Sequence, residues 1–182
     1  MARRTCAFSL FALILLLALA PPAMAHWRAA LPEARLVGEG EFSWFGLRLY
    51  RARLWSAGPL QGWGKPFALE LVYQRALSRD TLVQASLEEM RRLADPPLEP
   101  ATEQRWARAM NAAFVDVRPG MSITGLYLPG QGCRFYVDGQ PSHMVDDPAF
   151  ARAFFAIWLD PRARDLKLRQ QLLGQGADDR GG

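Results

Sequence analysis

The sequence is poor in the residues from which most metal and catalytic sites are built. It holds two histidines, His26 and His143, and two cysteines, Cys6 and Cys133. An N-terminal histidine joins a free amine to an imidazole and can chelate copper. Here no Cys, Met or acid cluster stands at ligand spacing beside either histidine, so no metal site is expected. A Gly-rich phosphate loop, zinc spacing and a serine nucleophile elbow are all missing, so no cofactor is expected either. Net charge is also scarce, +4 over 182 residues, which argues against a nucleic-acid partner. There is no internal repeat.

Only one long apolar run is present, at the N-terminus. Arg3 and Arg4 precede an uncharged stretch from Cys6 to Ala20, and Ala23-Met24-Ala25 gives a small-x-small pattern. This is the layout of a secretory signal peptide, residues 1–25, cut after Ala25. The run falls short of the roughly 20 apolar residues a span needs, so no membrane anchor is expected after cleavage, and the destination is periplasmic or secreted. Cleavage leaves 157 of the 182 residues at a net charge of +2, since the leader carries two arginines and no acid. Cys133 is then alone, so stability must come from packing despite an oxidising compartment. It alternates with Phe135 and Val137 on a strand and reads as a small buried hydrophobe.

The rest of the chain mixes strands and helices without regular alternation. Residues 26–34 form a leader into the fold. Strands are expected at 34–45, loosened by Gly38 and Gly40, at 47–55, 67–75, 121–128 and 133–137, with His143-Met144-Val145 closing a last hairpin. Ser78 caps a helix over Arg79–Leu93, with Val83, Leu87, Met90 and Ala94 inward. Pro100 opens a second helix with Trp106, Ala109 and Met110 inward. Asp147-Pro148 opens a third, with Phe150, Phe154 and Ile157 inward, and Asp160-Pro161 repeats that device for a last helix ending at Gly174. Residues 175–182 are expected to be a disordered tail. The pattern predicts an α+β domain over 35–174, a large antiparallel sheet covered by helices.

Residues 47–55, LRLYRARLW, put three arginines in an apolar strand. With a period of two, Arg48, Tyr50, Ala52 and Leu54 share one face, while Leu47, Leu49, Arg51, Arg53 and Trp55 share the other. Arg48 and Tyr50 would then converge on one carboxylate, with Ala52 leaving room for a ligand. The plainer alternative leaves Arg51 and Arg53 in solvent and Arg48 at the sheet edge.

Four segments, GEGEFSWFGLRLYRARLW, FALELVYQRALSRDTL, VRPGMSITGLYLPGQGCRFYVDG and DDPAFARAFFAIWLDPRARDLKLRQQLLG, resemble those of bacterial chalcone isomerase-like proteins in order and spacing over residues 35–174. The resemblance implies that family's fold, in which a ligand lies between sheet and helices. It does not carry over the isomerase reaction. The plant enzyme uses an Arg on an early strand, a Thr on the next, and Tyr, Lys and Asn on the following helix. Here the first-strand stretch is Gly38-Glu39-Gly40-Glu41, the Thr place falls at Tyr50, and Leu82, Ala85 and Glu89 stand where the helix residues are needed. Non-catalytic plant proteins of this fold bind fatty acids through an Arg and a Tyr on successive early strands, and Tyr50 falls near that Tyr. The expectation is a secreted, non-catalytic domain that binds a small apolar or amphipathic ligand such as a fatty acid, with Arg48 and Tyr50 as ligand-binding residues. An isomerase or lyase with a different residue set, and a structural or interaction module of the envelope, are the alternatives.

Overall fold

A computed structural model describes residues 26–176. The signal-peptide reading, residues 1–25, and the last six residues of the tail lie outside them. The element order is α1 (Trp27–Ala30), β1 (Arg35–Trp44), β2 (Leu47–Ser56), β3 (Phe67–Tyr73), α2 (Arg79–Leu93), α3 (Pro100–Ala113), β4 (Ser122–Leu128), β5 (Gly132–Val137), β6 (Gln140–Val145), α4 (Pro148–Leu159) and α5 (Leu166–Leu172). The six strands form one antiparallel sheet in chain order. Helices α2 and α3 fill the long β3–β4 connection, and α4 and α5 follow the sheet. The fold is therefore the expected α+β type. Pro141 lies in β6, at the sheet's edge, where a missing N–H is tolerated.

Cross-strand register assigns the two faces. Tyr50, Ala52 and Leu54 pair with Tyr73, Leu71 and Leu69, and Leu71 and Leu69 pair onward with Ile123 and Gly125. These share the main core with Val83, Leu87 and Met90 of α2, Trp106 and Met110 of α3, and Phe150, Phe154 and Phe155 of α4. On the opposite face, Trp27 packs on Ala68, Leu126 and Tyr136. There Arg53 bonds Glu39 at 3.1 Å and lies 3.7 Å from Glu70, and Arg51 bonds Glu41 at 3.2 Å. Exposed pairs of this kind contribute about 0–1 kcal/mol each, so Arg51 and Arg53 mainly keep that face soluble.

The structure corrects the sequence reading in several places. In α2, Leu93 is buried rather than Ala94, and in α3, Ala113 is buried with Trp106 and Met110 while Ala109 packs against the core partly buried. Asp160 does not open a helix. It ends α4, and its carboxylate accepts from Arg162 N at 2.7 Å, while Asp165 caps α5 through Leu168 N at 2.9 Å. The register of β1 with β2 shifts between Leu36 and Gly38, and the two glycines, Gly38 and Gly40, do more than loosen the strand. They bring α5 onto its backbone, where a Cβ at Gly38 would collide with the Gln171 carbonyl oxygen. Gln175, expected in the tail, still donates to Gln170 O at 2.9 Å.

A further correction concerns the arginine-bearing strand. Phe42 pairs with Tyr50 but Ser43 pairs with Arg48, so Leu49 is an extra residue in β2. Such a bulge resets the alternation. Leu49 and Tyr50 both line the helix side, and Arg48 shares a face with Ser43 and Glu41.

Candidate functional site

A cavity of about 380 Å³ opens between the helix-side face of the sheet and α2, α4 and α5. That volume is within the range of roughly 300–1,000 Å³ seen for small-molecule pockets. Its apolar wall combines Phe42 and Leu71 from the strands, Leu82 from α2, and Phe154, Ile157 and Trp158 from α4. The bulge shapes this wall, because without it Leu49 would face solvent.

Polar groups interrupt this wall. Trp158 Nε1 donates to the Tyr50 hydroxyl at 3.0 Å. Tyr50 accepts that bond, so its own O–H is left to donate. Tyr73 stands edge-on to it, ring centroids 6.0 Å apart, and its hydroxyl has no hydrogen-bond partner among the described residues. Burial holds both phenols well above their ordinary value, so both are neutral donors at physiological pH. At the rim, Arg164 Nε donates to Glu89 Oε1 at 2.6 Å. Arg92 also holds Glu89, through Nε at 3.0 Å and an N–H at 2.8 Å. Burial pushes the Glu89 carboxyl up, but the bonds from Arg92 and Arg164 outweigh it and hold the group below its usual range. Arg164 also reaches over the Trp44 ring, 5.7 Å from its centroid.

Of the two residues singled out from the sequence, Tyr50 lines this cavity. The bulge turns Arg48 to the other face, where its Nε sits 3.5 Å from Glu41 Oε2. The two therefore do not converge. Arg164 was missed. It follows Asp160-Pro161 in a stretch read as helix, and nothing local marks it as facing a cavity. Leu82, Ala85 and Glu89 do line the cavity, as their places in the family pattern imply. Cys133 is fully buried, and desolvation pushes its thiol far up, so it is inert. His26 caps α1, its Nδ1 accepting from Arg28 N at 3.3 Å. No cluster of three or more metal-ligating side chains occurs among the described residues.

An antiparallel sheet with α2 to α5 on one face and a largely apolar cleft between the layers defines this α+β domain. The chain belongs to the chalcone isomerase-like family, whose family model matches residues 58–174. In structure it is similar to a fatty-acid binding protein of Arabidopsis thaliana, with a TM-score of 0.59 at 12% identity, over 79% of this chain and 88% of that chain. At that identity the likeness speaks for the fold. No curated protein matches the sequence.

Proposed function

We propose that this protein is a non-catalytic carrier of a long-chain fatty acid or a closely similar amphipath. The observation that carries the reading is the cavity itself, largely apolar, with the Tyr50 phenol and the Arg164 guanidinium among its lining residues. The fatty-acid binding protein of similar fold supports it. A carboxylate in this cavity accepts from Tyr50 and Arg164. Glu89 keeps Arg92 when Arg164 turns to the ligand, so no buried acid is left unpaired. The isomerase groups are not where the reaction needs them: Leu82, Ala85 and Glu89 offer neither a cation for the substrate phenolate nor its fixed donors. The leader at residues 1–25 supports export, and an N-terminal sequence starting at His26 tests it.

Displacement of a fluorescent fatty acid tests the carboxylate assignment. A charge-assisted hydrogen bond contributes about 1.5–3 kcal/mol. Arg164→Gln is therefore expected to weaken a long-chain acid by about 10- to 100-fold and to leave the alcohol of equal length nearly unchanged. Arg48→Ala, on the other face, is the control and is expected to change neither. Equal loss for acid and alcohol would remove Arg164 from the head-group site, and loss confined to Arg48→Ala would place the ligand across the sheet.

A further inference from the structure

The turn between β1 and β2 is built against its own geometry. Phe45 has a φ of 47° and Gly46 a φ of 76°. The turn between β5 and β6 has the same backbone, with Asp138 at 47° and Gly139 at 79°. Asp-Gly and Asn-Gly are the pairs such a turn selects, because a left-handed first residue suits a short polar side chain. In the first turn a phenyl group takes that place and is 90% exposed, the highest value for a large apolar side chain among the described residues. Trp44 and Leu47 flank it at 45% and 47% exposure. The Phe45 ring stands edge-on to Trp44, centroids 5.2 Å apart, but an aromatic in an unfavourable backbone region, projecting into water, gains little for the folded chain.

Two further observations say what covers it. Exposed cations stand beside the tip: Arg48, although it lies 3.5 Å from Glu41, is 69% exposed, and Arg75, just past the end of β3, is exposed as well. Trp44 also lines the cavity while lying partly in solvent, so the tip continues into the cavity mouth.

We propose that Trp44, Phe45 and Leu47 dock into the head-group region of a membrane bearing anionic lipids, with Arg48 and Arg75 against the phosphates, and that ligand passes between bilayer and cavity at this end. Aromatic side chains flanked by arginines suit that interface, the rings reaching the acyl boundary and the charges staying with the head groups. A second copy of the chain is a poorer occupant, since a two-fold contact would set the same arginines against themselves. The loading step rests on the carrier reading above, whereas the docking does not.

Flotation of the chain from His26 onward, which contains every element of the fold, with lipid vesicles tests this. Binding is expected to vesicles of phosphatidylcholine with one quarter phosphatidylglycerol, and to fall with added salt. Phe45→Asn places a favoured residue in the turn, so its melting temperature should hold or rise. Its vesicle binding should weaken by about 10- to 100-fold, the share of one buried phenyl group. Arg48→Gln should weaken binding by about fivefold, as for one basic residue near an anionic surface. Fatty-acid displacement in vesicle-free buffer should be unaffected by Phe45→Asn, so a failure of docking and a failure of the carrier reading give different patterns. No binding by the wild type, equal binding to pure phosphatidylcholine, or unchanged binding by Phe45→Asn would overturn the proposal. A dimer that Phe45→Asn dissociates would also overturn it and assign the tip to a second copy.

Discussion

At the scale of single residues, a glycine sets how closely α4 packs on the sheet. Gly125 faces the helices from β4, and a Cβ there would lie 2.8 Å from Phe155 Cζ and 3.0 Å from its Cε1. Phe155 is fully buried against Phe67, Tyr127 and Phe154 and has nowhere to retreat. Gly125→Ala is therefore expected to destabilise the domain by about 1–3 kcal/mol through overpacking, read from chemical denaturation. An unchanged midpoint would mean that α4 sits farther from the sheet than described. Tyr50 and Phe154 were legible from residue type and spacing, because strand and helix periods alone assign their faces. Arg48 and Arg164 were not. The face of Arg48 depends on an extra residue in β2 that only the pairing with β1 reveals, and Arg164 reaches the cavity from a turn with no periodicity to read.

At the scale of elements, the capping residues carry more than local helix stability. Asp147 Oδ1 accepts from Ala149 N and Phe150 N, both at 3.0 Å, and Oδ2 accepts from Trp106 Nε1 at 3.0 Å. One carboxylate thus starts α4 and ties it to α3. Burial alone would raise its pKa, but the hydrogen bonds from Phe150, Trp106 and Ala149 lower it below the ordinary value of 3.8. A lowered pKa adds stability that is present above the unfolded value and lost as the pH falls through the folded one. Asp147→Ala should cost about 2 kcal/mol at neutral pH, a lost cap plus an unpaired indole N–H. The difference from wild type should shrink below about pH 4. A constant difference down to acid pH would show that the charge on Asp147 is irrelevant. Asp147-Pro148 announced this cap in the sequence. Asp160-Pro161 carries the same dipeptide and instead ends a helix, because its carboxylate turns to Arg162 N and side chain. The dipeptide fixes a local bend, and the surrounding packing decides whether a helix begins or ends there.

At the scale of the whole molecule, the antiparallel sheet and its helix cover are readable from alternation, turn residues and family resemblance. The open space between the layers is not, because a filled and an unfilled interface have the same periodicity. The small residues Ala85 and Ser86 line it from α2, and Leu49 is recruited to it by the bulge. The carrier role stands or falls on that space taking a ligand. Native mass spectrometry of the folded protein, incubated with a mixture of long-chain acids and freed of excess, tests this most directly. The expected result is a mass increment of one acid per chain on the wild type. On Ser86→Phe, which places a phenyl group in the cavity, the increment should be missing while the fold is retained by circular dichroism. A wild type that remains ligand-free with excess acid, or an equal increment on both proteins, would contradict the carrier role.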